Sequence, residues 1–357
     1  MCGGGTAGHV NPALAIAETI EKNIPNSTFA YVVTRNGIEN TLVKYKKYEI
    51  DIIGLKKRVI YNIRALFLTY KAIRKCKKII REYDPDIVIG TGGYSSFPVI
   101  YAAHKCGVKT LIHESNAYPG KTTRILAKYA DKVLLNYKES IKYFNNDTYI
   151  TVTGVPYLKG FIRKEKESKR NNDGITILCF GGSLGAEKIN YCALDIAENI
   201  IKNNNNVTIV WGCGKREYDT CVNSLKKKGL YDNERIILKD YIYEMPIILS
   251  EADIVICRAG AISIAEMSYN GKCTIFVPSP NVTDNHQYKN AKVLSDSDSA
   301  ILVEESNIGE VKDIVKQLIC DKARRETLEK NIQRYCVKNS NKLIFNEIIK
   351  LTKSAVK

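Results

Sequence analysis

Residues 252–291, ADIVICRAGAISIAEMSYNGKCTIFVPSPNVTDNHQYKNA, hold two apolar runs of strand length, each followed by a loop of small and polar residues and then a helical pattern. Strands that are apolar on both faces and alternate with helices belong to a parallel sheet covered on both sides. The loops leaving such strands gather at the carboxyl edge of the sheet, where open α/β folds bind ligands. Arg258, Gly260, Ser263, Glu266, Asp284, His286 and Gln287 are therefore expected in one crevice. A carboxylate beside small residues at a helix start suits a ligand carrying both hydroxyls and phosphates. Glu266 can accept from a ribose diol, and the N–H groups near Ala261 to Ser263 face anionic oxygens. The alternative at this point is a solvated loop pair on an ordinary α/β scaffold.

The rest of the chain repeats that alternation in two series. A Gly-rich loop, Gly3–Gly8, precedes a helix over Pro12–Lys22 and the apolar runs TFAYVV, YEIDIIGL, DIVIG, KTLIH, DKVLL and YITVTG. The segment LKGFIRKEKESKRNNDG is charged and nearly free of apolar residues, and it reads as a linker. A second series then runs ITILCFGG, NVTIVWG, RIILKDYI, ADIVICR, CTIFVPS and AILVEE. Two series predict two doubly wound, Rossmann-like α/β domains facing a cleft, residues 1–157 and 174–357, with 158–173 between them. The helical stretches 311–318, 323–335 and 343–351 are expected to cap the second domain. One element breaks the pattern. A doubly wound domain places its Gly-rich loop after a central first strand, yet only Met1 and Cys2 precede Gly3. The expectation is that the first strand is missing and that a native start lies upstream.

Charge separates the two halves. Residues 1–164 carry 26 Lys/Arg against 12 Asp/Glu, a net +14, whereas residues 165–357 carry 28 against 26, a net +2. Lys56–Arg81 contains ten basic residues and no acidic one. Ile60, Ile63, Leu66, Phe67, Leu68, Tyr70, Ile73, Ile79 and Ile80 are interleaved there at roughly helical spacing. A basic amphipathic helix with aromatic residues suits an anionic membrane surface. Nucleic acid is the competing partner, and a core-packed helix with a solvated basic face is the third reading. Docking needs only a few of these apolar residues to stay exposed. No apolar run approaches the ~20 residues that span a bilayer, and the N-terminus lacks a basic region followed by an apolar one. The eleven cysteines are scattered without a CxxC pair, and several fall inside apolar runs, which predicts buried, reduced thiols of a cytosolic protein.

GGGTAGHVNP (Gly3–Pro12) sets glycines and His9 at a helix N-terminus, where backbone can approach a ligand and the dipole favours anions. It is not GxGxxG, and TFAYVV ends at Thr34-Arg35 rather than at the acidic residue a dinucleotide ribose requires, which disfavours a dehydrogenase. GGSLGAEKIN (Gly181–Asn190) repeats the device, with Ser183 at the helix start. TGGYSSFP (Thr91–Pro98) and HESNAYPGKTTR (His113–Arg124) follow strands of the first domain at its carboxyl edge. Of two DxD patterns, Asp84-Pro85-Asp86 precedes a strand and Asp296-Ser297-Asp298 lies in a late loop, so both read as turn residues rather than metal ligands.

GGGTAGH, GTGGYSSFP, HESNAYPG, FGGSLGA, RAGAISIAE and DNHQYKNA stand in the order and spacing of the MurG family, which the chain resembles from Gly3 to Ala291 by motif and onward by helix pattern. The resemblance implies a GT-B fold and an inverting transfer of GlcNAc from UDP-GlcNAc, without metal or cofactor. The implied acceptor is the muramyl 4-hydroxyl of undecaprenyl-pyrophosphoryl-MurNAc-pentapeptide, met by a peripheral protein on the anionic cytoplasmic face of the membrane, with no nucleic acid involved. Thr6, Ala7 and Gly8 fall on the Gly-rich loop, Asn116 on the HExN asparagine, Ser183 on the phosphate loop and Ile242 on the backbone that holds the uracil. Ala261, Ile262, Ser263, Ile264, Ala265 and Glu266 match the nucleotide-sugar loop, with Glu266 on the ribose and Gln287 on the sugar hydroxyls. His9, Tyr94 and Glu114 match positions lining the acceptor side.

On this reading, charge building on the leaving UDP meets helix N-terminal N–H groups near Ser183 and Ala261. Inversion needs a general base on the acceptor side. His9 is expected in that role because imidazole is the side chain that titrates near neutral pH, with Glu114 the alternative. The chain departs from the family at GVPYL (Gly154–Leu158), where GNPVR is usual. Leu158 thus stands where an arginine contacts the donor, and Lys159 or Arg163 is left to substitute. A GT-B glycolipid synthase acting on diacylglycerol and a non-enzymatic basic nucleic-acid-binding protein are the competing functions.

Overall fold

Runs of Val, Ile and Leu that pack on both faces favour parallel pairing, and every described strand pairs in parallel. A computed structural model describes residues 1–54, 59–158, 174–182, 185–204 and 206–353. They form two compact units, one within Met1–Lys159 and Val337–Lys357, the other within Gly160–Cys336. The expected linker lies, apart from Leu158, outside the described residues.

In the first unit the strands are β1 (Ala30–Thr34), β2 (Lys46–Ile50), β3 (Ile87–Gly90), β4 (Lys109–Glu114), β5 (Lys132–Leu135) and β6 (Ile150–Val152). β1 pairs with β2, while β3, β4, β5 and β6 form a ladder in that order. Cys2 joins the two pieces, bridging in parallel to Val32 on one side and Gly90 on the other. Its N–H donates to the Ile89 carbonyl at 2.9 Å, and its own carbonyl accepts from Thr91 N–H at 2.9 Å. Two residues thus hold the central slot in which the sequence shows no full strand, and the Gly-rich loop leaves directly from it.

The helix Ser340–Lys353 corrects one sequence expectation. Its apolar stripe was expected on the second domain, but Ile344 and Ile348 pack with Ile16, Ile20, Ile89, Leu111 and Leu134 of the first unit. Glu347 pairs with Lys132 at 3.0 Å, Ser340 Oγ donates to the Val155 carbonyl at 2.8 Å, and Asn341 Oδ1 accepts from Tyr157 N–H at 3.0 Å. An amphipathic pattern specifies that a helix needs an apolar partner but not which sheet supplies it.

The second unit contains β7 (Ile175–Phe180), β8 (Val207–Gly212), β9 (Ile236–Lys239), β10 (Ile254–Cys257), β11 (Cys273–Phe276) and β12 (Ile301–Leu302). Their order is β12-β11-β10-β7-β8-β9, so the chain reverses direction across the sheet between β7 and β10. Loops leaving that pair diverge and open a crevice at the carboxyl edge. The core centres on Ile177, Trp211, Ile256 and Ile275. Trp211 Nε1 donates to Asn190 Oδ1 at 2.9 Å, and Asn190 Nδ2 donates to the Cys213 carbonyl at 3.0 Å, so the helix after the second Gly-rich loop is fastened to the end of β8. All eleven cysteines are free thiols, most of them buried.

Candidate active site

At the carboxyl edge of the second unit, β10 runs through Gly260 into the helix Ala261–Asn270, whose N-terminus has no side-chain cap and no acidic residue in its first turn. The leading N–H groups of such a helix attract anions. Ala261 and Ile264 are buried, whereas Ile262, Ser263, Ala265 and Glu266 keep partial exposure. Burial pushes the Glu266 carboxyl up to about 7, and no charge or hydrogen bond from a described residue offsets it. Ligand hydroxyls would supply the donors that its ionised form lacks.

Two further expected residues sit on neighbouring loops of the same edge. The Ile242 side chain is buried and packs on Gly212 at the end of β8, which fixes the backbone beyond β9; Tyr241 and Tyr243 beside it are exposed, with ring centroids 4.9 Å apart. Gln287 Oε1 accepts from Ser279 N–H at 2.9 Å, directing its amide from the loop after β11. That loop turns through Asp284 and Asn285 at φ of 54° and 51°, a left-handed pair that short polar side chains tolerate. His286 Nδ1 lies 2.9 Å from the Thr283 carbonyl and closes the same turn.

Arg258 departs from its expected place among ligand-facing residues. Its guanidinium is ion-paired with Glu305 at 2.5 Å and donates to the Val277 carbonyl at 3.1 Å. A guanidinium this far withdrawn from water needs its charge answered within the protein, so Arg258 braces β10 against β11. Asp298 accepts from both arms of Arg324 at 2.6 and 2.8 Å, and Asp296 accepts from Lys292 at 2.8 Å, so both acids of the late DxD pattern are engaged in ion pairs. Ser183 lies outside the described residues.

In the first unit the Gly-rich loop meets the loop after β3 at backbone contact. A Cβ on Gly93, where φ is 80°, would lie 2.3 Å from the Gly4 carbonyl oxygen, and one on Gly92 would lie 2.7 Å from His9 Nδ1. Only glycine permits that approach. His9 is partly buried near the start of the helix Ala7–Asn23, behind the exposed Thr6 and Gly8 and the partly exposed Ala7. Its Nδ1 lies 3.2 Å from the Thr91 carbonyl, and Thr91 Oγ1 donates to the His9 carbonyl at 2.6 Å. A carbonyl can only accept, so in the neutral ring Nδ1 carries the proton and Nε2 the basic lone pair. Tyr94 is exposed, its ring beside Gly5 and Gly54.

Glu114 is buried at the end of β4, and both its oxygens serve its own loop. Oε1 accepts from Asn116 N–H at 3.0 Å and Asn116 Nδ2 at 3.1 Å, while Oε2 accepts from Gly120 N–H at 3.0 Å. The neighbouring His113 is wholly buried, its Nε2 2.9 Å from the Gly154 carbonyl, and burial holds its imidazole below the ordinary range. Leu158 is exposed; Lys159 and Arg163 lie outside the described residues.

Sequence reasoning missed Glu39. Wholly buried, it accepts from Thr34 N–H at 3.0 Å, Thr34 Oγ1 at 2.7 Å and Gly5 N–H at 3.4 Å, tying the Gly-rich loop to the end of β1. Burial opposes its ionisation, yet these hydrogen bonds outweigh that and hold the carboxyl below its ordinary value. An acidic residue in a polar loop carries no local sign of such a role.

The basic helix Val59–Tyr83 buries Ala65, Ala72, Cys76, Ile79 and Ile80 and leaves Ile63, Leu66, Phe67 and Tyr70 exposed. These four fall at i, i+3, i+4 and i+7, a single surface stripe. Lys71 Nζ lies 4.5 Å from the Phe67 ring centroid and the Arg74 guanidinium 6.0 Å from that of Tyr70. The Ile60 side chain lies outside the described residues. No described helix is long and apolar enough to cross a membrane.

Residues 1–135 match the glycosyltransferase family 28 N-terminal domain, and residues 176–347 match the glycosyltransferase family 28 C-terminal domain. A UDP-N-acetylglucosamine--N-acetylmuramyl-(pentapeptide) pyrophosphoryl-undecaprenol N-acetylglucosamine transferase of Desulforamulus reducens is 37% identical over 349 residues, 94% of this chain and 93% of that protein. A Bacillus subtilis protein of the same name is 36% identical over 317 residues, 86% of each chain. The crystal structure of Acinetobacter baumannii MurG aligns with a TM-score of 0.77 at 28% identity, covering 98% of both chains. Both α/β halves are thus matched over nearly their whole length, and the chain belongs to glycosyltransferase family 28 and, within it, to the MurG family of GT-B N-acetylglucosamine transferases.

Proposed function

We propose that this protein transfers GlcNAc from UDP-GlcNAc to the 4-hydroxyl of MurNAc in undecaprenyl-pyrophosphoryl-MurNAc-pentapeptide, with inversion at the anomeric carbon. The second unit takes the donor, and the first, completed by the helix Ser340–Lys353, takes the acceptor and the membrane. The Glu266 carboxyl carries the donor reading: at the ligand edge of the sheet it is raised to about 7 by burial and takes no hydrogen bond from a described residue, so a ribose diol is its natural complement. The leading N–H groups of Ala261, Ile262 and Ser263 receive the diphosphate. The backbone at Ile242 takes the uracil edge, and the Gln287 amide, with its oxygen held by Ser279, turns its Nε2 donors to sugar hydroxyls. Ser183 joins the phosphate contacts on the strength of its motif.

His9 is the general base in this reading. Nδ1 is held at the Thr91 carbonyl, so Nε2 accepts the proton of the 4-hydroxyl as that oxygen attacks the anomeric carbon and the bond to UDP breaks. Negative charge growing on the departing diphosphate is met by helix N-terminal N–H groups already in position. Glu114, with three loop donors on its oxygens, is the less suitable base and orders Asn116 instead. The Ile63–Tyr70 stripe and its surrounding cations face the anionic cytoplasmic membrane, where the acceptor resides.

Purified protein, labelled UDP-GlcNAc and the muramyl-pentapeptide lipid in detergent micelles test the reading. Acceptor-dependent release of UDP with label passing into the lipid product is expected. Equal turnover on diacylglycerol, or equal use of UDP-glucose, would overturn the assignment of substrates.

A further inference from the structure

The loop after β4 carries a group that the donor and base assignments leave unused. Arg124, in the short helix Lys121–Leu126, lies over the Tyr118 ring, 5.0 Å from its centroid. Tyr118 meets Tyr143 edge-on at 4.9 Å, and Lys142 Nζ lies 5.3 Å from the Tyr143 centroid. Ser140 Oγ donates to the Ala117 carbonyl at 2.9 Å and fastens the segment bearing Tyr143 to the loop bearing Tyr118. The guanidinium is therefore held by stacking on a braced loop.

Among the described residues no acid forms an ion pair with this charge. Arg124 Nε is buried without an acceptor, and none of Lys121, Arg124, Lys128, Lys138 and Lys142 is ion-paired with a described residue. Of the acids on neighbouring elements, Asp131 pairs with Lys109 and accepts from Thr110, Glu347 pairs with Lys132, and Glu114 serves its own loop, while Glu139 forms no ion pair with a described residue. A desolvated guanidinium donor without an acceptor is unfavourable until an oxyanion arrives. The planar fork of arginine matches the paired oxygens of a phosphate.

We propose that Arg124, seated on Tyr118, binds the diphosphate of the lipid-linked acceptor. This rests on the acceptor assignment made above, since the diphosphate adjoins the muramyl sugar that receives GlcNAc. Tyr118 lies in the loop that Glu114 organises, and Glu114 matches a position lining the acceptor side, so the loop that carries Arg124's seat belongs to the acceptor half of this reading. The same phosphate chemistry is offered by anionic lipid headgroups, and the test separates the two sources.

Two soluble acceptors with the same short lipid and muramyl-peptide, one linked through a diphosphate and one through a monophosphate, are turned over by the wild-type chain, Arg124→Gln and Arg124→Lys. The wild type should prefer the diphosphate acceptor. Arg124→Gln should raise KM for that acceptor about tenfold or more, with much less change for the monophosphate acceptor and none in donor KM. Arg124→Lys should recover part of the loss, because charge remains while the fork is lost. Sedimentation with phosphatidylglycerol vesicles should be unchanged. An equal KM rise for both acceptors, or no rise, would overturn the proposal. Weakened vesicle binding with unchanged KM would assign Arg124 to a headgroup instead. A wild type inactive on both acceptors would overturn the acceptor reading itself, and this proposal with it.

Discussion

The carboxyl edges of the two units are built from similar parts in opposite states. In the first unit the acids face inward and are satisfied: Glu39 and Glu114 each take three hydrogen bonds from the loops they organise. In the second, Glu266 is raised to about 7 and takes none from a described residue. One edge is rigid before any ligand arrives, while the other holds an unmet demand that a ligand fulfils. The contrast teaches that a carboxylate withdrawn from bulk water is structural or ligand-binding according to whether its donors come from the chain.

Removing the base tests the rigid edge most severely. His9→Ala should lower kcat by about 10²- to 10⁴-fold while leaving UDP-GlcNAc affinity intact by calorimetry. A fall of less than tenfold would move the base elsewhere. Next in size is Glu266→Ala, expected to weaken UDP-GlcNAc binding by about 1.5–3 kcal/mol, the scale of a charge-assisted hydrogen bond. Unchanged affinity in a folded variant would remove Glu266 from the donor site.

Stability should respond in opposite senses at the two edges. Glu39→Leu strands the two buried donors of Thr34 at about 1–3 kcal/mol each and releases the more exposed Gly5 N–H, so the thermal midpoint should drop clearly. Glu266→Leu removes a carboxyl whose burial opposes ionisation, so the midpoint should hold or rise at pH 8 as donor binding disappears. Parallel losses at both positions would erase the distinction.

The smallest effect is the pH response. The free Glu266 carboxyl titrates at about 7, and ribose donors favour its ionised form, so binding lowers that value and releases a proton. Donor affinity is then full above pH 7 and falls as pH drops through it, by at most about tenfold per pH unit. Glu266→Gln should flatten the profile between pH 6 and 8. Without ligand the sign is the reverse of the usual carboxylate case. The folded carboxyl keeps its proton longer than the unfolded one, so this group's contribution to stability declines as pH rises from about 4.5 to about 7.

The strands could be read from sequence because a buried parallel strand is a contiguous apolar run, a local property. The start of the helix Ala261–Asn270 was legible for a similar reason, since it follows such a run where the chain reaches the sheet edge. Arg258 was not, since its fate depends on Glu305, 47 positions along the chain and close only after folding. The reach of Glu39 to Gly5 and the docking of the helix Ser340–Lys353 on Ile16 fail in the same way, because those partners are fixed by topology.

The return of Ser340–Lys353 to the first sheet makes residues 174–336 an insertion within the unit that begins and ends the chain. During synthesis the ribosome emits chain from the N-terminus. The inserted unit can close its own core while the enclosing unit still lacks Ile344 and Ile348. The apolar face formed by Ile16, Ile20 and Leu111 stays uncovered until translation is nearly complete. Order of emergence and order of completion are thus inverted, and the half that appears first is the half that finishes last.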